Sequence, residues 1–184
     1  MNIGEEIVSA YLEYIKGCEF VQRNLYTPDA QGEIDVVGID IDNKTIYVCE
    51  VAIHLATGLQ YTKSKGVNNV SKVNNVNKLY EKFCKDIDYA NKYFPKYKKI
   101  FMLWSPIVKN QKATAKHNQI RDVQEVIGKI RKQYKVEIDD IINERFLNCI
   151  NELRDHAAIE TKEIKSPVLR LFQIEEKIRK HLGK

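Results

Sequence analysis

The sequence predicts an α/β protein in which a mixed central β-sheet is flanked by helices and followed by a helical C-terminal extension. Three observations predict this class: a helical pattern opens the chain, two alternating apolar segments follow with a turn between them, and a long helical pattern then leads to a buried strand. At 184 residues the chain is long enough for one core of ordinary size. We therefore assign residues 1–135 to the α/β core and residues 136–184 to the helical extension packed on it.

The first predicted elements are a helix and a short strand. Apolar residues recur at helical spacing over residues 3–16, and Gly17 suits the C-terminal end of this helix. Glu5 lies in the first turn, where a carboxylate interacts favourably with the positive end of the helix dipole. Residues 18–24 predict a strand, and a loop follows before the next strand begins.

The second and third strands are predicted over residues 33–41 and 45–53, with a turn at residues 42–44. They should pair as an antiparallel hairpin. Both segments are apolar but contain acids, and a buried carboxylate without a partner costs several kcal/mol. Acids at these positions therefore indicate a bound cation or a catalytic proton.

The faces of these two strands show which side chains can meet. Because side chains alternate along a strand, Glu33 and Asp35 share one face of the second strand. Glu50 and His54 share one face of the third strand, with Ala52 between them. Three acids and a histidine can thus converge at one place in the sheet.

The remaining chain is predicted to form one more strand and four helices. A long amphipathic helix is predicted over residues 67–93, with lysines on its polar faces. The apolar residues 98–106 predict a buried central strand that ends at a proline. Further helices are predicted over residues 112–133, 138–156 and 167–182.

The net charge of +5 conceals a strong asymmetry along the chain. Residues 1–60 carry three basic and ten acidic residues, whereas residues 61–135 carry eighteen basic and five acidic ones. Such a division suits a protein that holds metal ions beside a polyanion, although a solvated lysine-rich surface explains the basic block equally well. The candidate nucleic-acid contacts are Lys96, Lys98, Lys99, Lys109, Lys112 and Lys116.

Cysteine spacing and hydropathy indicate the compartment. The four cysteines lie far apart without a C-x-x-C pair, which is typical of reduced thiols. No apolar run approaches the ~20 residues needed to cross a bilayer, and the N-terminal segment has acids where a secretory signal carries bases. We therefore expect a cytoplasmic protein without membrane contact.

Six short motifs occur in order along the first half of the chain: Gly4-Glu5, Tyr11-Leu12, Gly17, Arg23-Asn24, Gly32-Glu33-Ile34-Asp35 and Glu50-Val51. Their order and spacing resemble the PD-(D/E)xK nuclease superfamily, which has the restriction-endonuclease-like fold, and within it the YraN family. The resemblance covers roughly residues 4–90 and leaves the C-terminal half unexplained. It implies hydrolysis of phosphodiester bonds assisted by Mg²⁺, or by Mn²⁺ in its place. We expect the substrate to be nucleic acid, with double-stranded DNA favoured over RNA.

The resemblance also implies roles for four acids. Asp35 and Glu50 would bind the metal, Glu5 would reach the site from the first helix, and Glu33 would accept hydrogen bonds behind these ligands. Carboxylate oxygens suit a hard cation that keeps positions open for water and the scissile phosphate. Asp29 follows a proline in the loop before the second strand, so we do not expect it to contribute.

Position 52 departs from the family pattern, which places a lysine two residues after the metal-binding glutamate. The methyl group of Ala52 can neither orient the attacking water nor offset charge on the transition-state phosphorane. Three interpretations stay open. Lys72 on the following helix, or Lys63 or Lys65, supplies the ammonium; His54 substitutes for it; or the site is degenerate and the fold only binds nucleic acid.

Three hypotheses about function follow. The leading one is a metal-dependent endonuclease acting on DNA. The alternative is a nuclease-fold DNA-binding module without catalysis, or such a subunit of a larger complex. The third is an interaction protein whose helices after residue 138 form a homodimer or partner surface, although their apolar stripe is also wide enough to cover a core.

Overall fold

The structure is a computed structural model that describes residues 2–27, 32–59, 75–112 and 118–183. It has the α/β class that the sequence predicts. The strands are β1 (Phe20–Thr27), β2 (Gly32–Asp40), β3 (Thr45–Val51), β4 (Lys98–Ser105) and β5 (Ile138–Ile142). The helices are α1 (Ile3–Ala10, continued by a π-helical turn over Tyr11–Ile15), α2 (Asn75–Tyr93), α3 (Gln119–Tyr134), α4 (Glu144–Ile159) and α5 (Pro167–His181).

The five strands form one mixed sheet in the order β1-β2-β3-β4-β5. The first three strands pair antiparallel, and β4 and β5 continue the sheet parallel to β3. The predicted hairpin is confirmed, because Asp40 pairs with Thr45 across the turn between β2 and β3. Parallel neighbours need a crossover connection, and α2 and α3 provide the two that this sheet requires.

Two apolar layers cover the sheet, one on each face. The first layer lies between the sheet and helices α2 and α3, and contains Val48, Phe83 and Ile127. The second lies under α1 and α4, where Trp104 is fully buried against Tyr11 and Phe146 in edge-to-face contacts. Helix α5 packs on α4 and α1. Both faces of the central strands are thus buried, which explains their nearly continuous apolar sequence.

The predicted helix over residues 138–156 is wrong in its first five residues, which form β5 beside β4. The isoleucines at 138, 141 and 142 fit helical spacing as well as a short strand, and pairing with the buried strand β4 decides between the two. The C-terminal part of the chain is therefore not wholly helical, because it contributes an edge strand to the core sheet.

Other element ends also differ from the sequence predictions. Helix α3 begins at Gln119, not near residue 112, because Asn118 adopts an extended conformation and accepts a hydrogen bond from Arg121 N at 3.2 Å. The π-helical continuation of α1 ends at Ile15, shortly before Gly17, which has a left-handed backbone at φ 72°. The predicted helix over residues 67–93 is confirmed from Asn75 onward, and residues 67–74 lie outside the described residues.

The four cysteines are free thiols, as predicted, and three of them are buried. In the described parts of the chain, no helix has both the length and the apolar character needed to span a bilayer.

Candidate functional site

The two acids at the centre of the sequence prediction, Asp35 and Glu50, converge near the end of the β2–β3 hairpin. Glu50 is the penultimate residue of β3, and its side chain is only 1% exposed. The Asp35 carboxylate accepts a hydrogen bond from Val51 N through Oδ2 at 2.7 Å. The β2–β3 pairing ends with Val36 and Cys49, so the Asp35 side chain takes the place of the next backbone partner.

Strand β2 has a local irregularity around Asp35. The pairing between β1 and β2 skips Asp35 and the facing Asn24, which has a left-handed backbone at φ 51°. Ile34 and Val37, three residues apart, both lie in the layer under α2 and α3. Regular alternation would place them on opposite faces, so the strand departs from it around Asp35.

Lys82 of α2 supplies the cation between these two acids. Its Nζ lies 2.5 Å from Glu50 Oε2 and 3.5 Å from Asp35 Oδ1. Lys82 belongs to the helix that follows the hairpin. Ala52 itself is 4% exposed and packs in the apolar layer. A relocated lysine is predicted from sequence on this helix, but at Lys72, which lies outside the described residues together with residues 63 and 65.

Asp86 is a fourth charged member of the site, and sequence reasoning missed it. It lies one helical turn after Lys82 on α2 and is 4% exposed. Glu50 Oε1 and Asp86 Oδ2 are both buried, and neither has a hydrogen-bond partner in the part of the chain that the structure describes. Buried polar oxygens without a donor are costly, so two of them in one site point to a missing proton or cation.

The electrostatics of the site show a shortage of positive charge. Burial raises the pKa of Glu50 well above its usual range, and the charges of Asp35 and Asp86 raise it further, against the opposing effect of Lys82. Burial also raises the pKa of Asp86 to about 7, although hydrogen bonding to Glu50 and the charge of Lys82 lower it. The site therefore favours a bound proton, or a cation that offsets its excess of negative charge.

Glu5 lies in the first turn of α1, and this helix packs against β3. It is 8% exposed, and Asn2 donates a hydrogen bond to it. The approach of α1 requires Gly4, because an added Cβ would collide with Ile53 and stand 3.0 Å from Val51 Cγ1. This packing brings the first turn of α1 beside the end of β3.

Glu33 and His54 take no described part in the cluster around Lys82. Glu33 is exposed and faces Tyr26 of β1. The prediction that His54 shares a strand face with Glu50 is wrong, because β3 ends at Val51. The chain turns there, and the His54 carbonyl accepts a hydrogen bond from Gly58 N at 2.9 Å.

The predicted nucleic-acid contacts fall into two groups. Lys98 begins β4 opposite Thr45, whereas Glu50 pairs with Leu103 five residues further along, a distance of about 16 Å. The cluster of Lys96, Lys98 and Lys99 thus lies at the end of the sheet remote from Glu50. Lys109 and Lys112 follow the carboxyl end of β4, on the side of the site, and Lys116 lies outside the described residues.

The loops at the carboxyl ends of β3 and β4 are joined by hydrogen bonds. Leu59 N donates to the Ile107 carbonyl at 3.0 Å, and Lys109 Nζ donates to the Ala56 carbonyl at 3.1 Å. Open α/β sheets bind their ligands at the carboxyl ends of parallel strands. Asp35, Glu50 and Lys82 lie beside this end.

The donor set can be compared with what a metal needs. Within the described residues, no group of three or more His, Cys, Asp or Glu side chains is arranged to hold a metal ion. Two carboxylates, Asp35 and Glu50, do surround one cation, the Lys82 ammonium. Because Mg²⁺ is commonly held by one or two carboxylates, with water and substrate phosphate completing its shell, these two oxygen donors fit it.

Fold and site together define an α/β protein with a buried acidic cluster, bridged by a lysine, at the carboxyl end of its parallel strands. Comparisons with protein-family models, with curated proteins and with solved structures found no match to this chain. The function of this chain must therefore be inferred from the residues of its site.

Proposed function

We propose that this chain is a metal-dependent endonuclease with a restriction-endonuclease-like fold that hydrolyses phosphodiester bonds in DNA. The observation that carries the proposal is the convergence of Asp35, Glu50 and Lys82 beside the carboxyl end of the sheet. Two carboxylates from adjacent strands and an ammonium beside them are the groups that such hydrolysis requires. The order of strands and the antiparallel hairpin that carries both acids also support it.

In this proposal each residue has a separate task. Asp35 and Glu50 would hold Mg²⁺ or Mn²⁺ through carboxylate oxygens. When bound, the metal would polarise the scissile phosphate and lower the pKa of an attacking water. Lys82 orients that water and offsets the negative charge that develops on the phosphate. Lys82 thereby takes the task that Ala52 cannot perform.

The DNA-binding part of the proposal depends on the basic residues near the site. Lys109 and Lys112 follow β4 at the end of the sheet where the acids lie, and both are exposed. Each phosphate that they neutralise releases counterions, so binding weakens as salt increases.

A cleavage assay tests the proposal. Plasmid, junction and single-stranded DNA are incubated with Mg²⁺ or Mn²⁺, using the wild type, Asp35→Ala and Lys82→Met. We expect cleavage only with metal, and a loss of at least about 100-fold in either variant. Lys78→Met, an exposed lysine one turn earlier on α2, is the matched control and should cleave normally. Cleavage that survives Asp35→Ala would contradict the proposal.

A second candidate is a nuclease-fold DNA-binding module without catalysis. The observation that favours it is the burial of Ala52 at the position of the family's lysine, together with an ammonium already seated between the two acids. DNA binding by the wild type without cleavage in any metal would support this module. If the protein neither binds nor cleaves DNA, the interaction protein is favoured instead.

A further inference from the structure

We infer that Asp86 is a positioning residue, which receives the Lys82 ammonium when a divalent cation binds between Asp35 and Glu50. The inference rests on the proposed function, because it concerns the metal of that site. It adds a role for a residue to which the motif resemblance assigns none.

Lys82 occupies the place that the metal would take. Its ammonium contacts one oxygen of Glu50 and approaches one oxygen of Asp35. These are the two carboxylates that would bind the metal. A divalent cation and an ammonium repel each other at such short range in a buried site. Metal binding therefore requires the ammonium to move away from at least one of the two acids.

The Lys82 ammonium can move to Asp86. Lys82 has a flexible four-carbon stem, and its side chain is 33% exposed, so it has room to turn. Residues four apart on a helix are surface neighbours, which places Asp86 within its reach. Asp86 is 4% exposed, and its Oδ2 has no hydrogen-bond partner in the described residues. The helix thus offers a buried acceptor one turn from the lysine.

The charge of the whole cluster favours this arrangement. Asp35, Glu50 and Asp86 bring three negative charges when ionised, and Lys82 brings one positive charge. With a divalent cation on the first two acids and the ammonium on Asp86, the cluster is neutral. Buried charges are tolerated when they are paired, so this arrangement leaves no unpaired charge in the cluster.

The position of Asp86 in α2 points the same way. Its neighbours Phe83, Ile87 and Ala90 are buried apolar residues of the layer beneath the helix. An apolar side chain at position 86 would stabilise this layer without a desolvation cost. A carboxylate there requires another use, and Lys82 lies one helical turn away on the same helix. Asp86 thus keeps the displaced ammonium beside the metal instead of letting it turn into solvent.

Calorimetric titration with Mn²⁺ tests the inference on wild type, Asp86→Asn, Lys82→Met and the double variant. Lys82→Met should bind Mn²⁺ about tenfold more tightly, since no ammonium has to be displaced. Asp86→Asn should bind about tenfold more weakly, because Lys82 then stays on the two acids. In the Lys82→Met background, Asp86→Asn should weaken Mn²⁺ binding by only about twofold, since only a through-space charge effect remains.

Two controls separate this role from a structural one. Asp88→Asn removes an exposed acid from the same helix and should leave Mn²⁺ affinity unchanged. Asp86→Glu keeps the carboxylate. Its log Kd for Mn²⁺ should therefore lie at least halfway from the value of Asp86→Asn to that of the wild type. If Asp86→Asn fails to fold, Asp86→Glu replaces it in the test. It is then compared with Asp86 both in the presence of Lys82 and in Lys82→Met.

The outcomes distinguish the inference from the proposed function. If Asp86→Asn lowers Mn²⁺ affinity equally with and without Lys82, the inference is overturned. It is also overturned if Lys82→Met binds Mn²⁺ with the wild-type affinity. Either result leaves the endonuclease in place if cleavage still requires Asp35. Absence of Mn²⁺ binding by all four proteins would overturn both.

Discussion

At the scale of single residues, the buried carboxylates determine how the site responds to pH. Glu50 and Asp86 lie almost without solvent contact, and Lys82 is the cation that touches Glu50. Burial favours the uncharged form of a carboxyl group, and one ammonium offsets only part of this effect. The metal-free protein should therefore hold protons in the site that the unfolded chain releases at lower pH.

This difference predicts how stability changes with pH. Burial raises the pKa of Asp86 from 3.8 to about 7, so between these values the folded protein binds more protons than the unfolded chain. The free energy of unfolding should therefore fall as pH rises through this window, with a slope of at most about 1.4 kcal/mol per pH unit for each proton. Urea unfolding in the presence of a chelator measures the slope.

Asp86→Asn should flatten this slope and make the metal-free protein more stable than wild type at neutral pH. Part of the slope should remain, because burial also raises the pKa of Glu50. Asp88→Asn, an exposed acid on the same helix, should keep the wild-type slope. An unaltered slope in Asp86→Asn would mean that this carboxyl group is ionised across the whole window.

At the scale of elements, the approach of α1 to the end of β3 depends on a glycine. A Cβ added at Gly4 would collide with Ile53, so Gly4→Ala should destabilise the protein by about 1–3 kcal/mol through overpacking. Gly128 lies within α3, and no heavy atom from outside its own stretch of helix lies within 4 Å of an added Cβ. Gly128→Ala should stabilise by roughly 0.5–1 kcal/mol, because alanine favours a helix interior. Thermal unfolding compares the two variants, and similar effects at both sites would contradict the close approach of α1.

The loop after β4 and the start of β4 should contribute differently to DNA binding. We expect Lys109→Glu combined with Lys112→Glu to weaken binding and to lower the slope of log K against log salt by about 1 for each phosphate that is no longer neutralised. Lys96→Glu combined with Lys98→Glu changes the charge equally at the other end of the sheet and is the matched control. Fluorescence anisotropy at several salt concentrations measures both. A larger effect from the control pair would move the DNA-binding face away from the acidic site.

The hairpin and its acids could be predicted from sequence, because alternation along two strands and a turn between them are local properties. Alternation therefore groups Asp35 with Glu50, although it also groups Glu33 and His54 with them. Lys82 and Asp86 could not be identified in this way. Helical spacing shows that α2 has an apolar face, but it does not show which polar residue at the margin of that face meets a given strand. The packing of α2 across the sheet decides that, and it is a tertiary property.

Residues 138–142 show the same limit in another form. Their isoleucines satisfy both helical and extended spacing, so local sequence cannot choose between them. The choice is made by β4, which has an edge to be covered on the side away from β3. The separation of Lys98 and Lys109 also depends on strand register. The sequence shows only that both lysines lie near the same strand.

At the scale of the whole molecule, the charge asymmetry of the sequence becomes a spatial arrangement. Acids from the first half of the chain meet one lysine from the basic block at the buried site. The described lysines of the predicted nucleic-acid set lie at the two ends of the sheet. The buried site therefore retains an excess of carboxylates, whereas the chain as a whole is basic. Such a molecule should take up a divalent cation at one place while its surface attracts a polyanion.

Binding of that cation should stabilise the fold. A ligand present at about 100 times its Kd adds about 2.7 kcal/mol to the free energy of unfolding, which raises Tm by about 5–11 °C for a chain of this size. We therefore expect Mn²⁺ to raise the Tm of the wild type in differential scanning calorimetry. Asp35→Ala should abolish the shift, because one of the two carboxylates around the cation is gone.

Two comparisons make this result specific to the site. Sodium chloride at matched ionic strength accounts for general screening, and it should not reproduce the increase in Tm. Asp88→Ala, which removes an exposed acid from α2, should retain the full Mn²⁺ shift. If Asp35→Ala shows the same increase as wild type, the cation binds to other acids, and the buried cluster of Asp35, Glu50 and Lys82 is then an ion pair of the core with no role in metal binding.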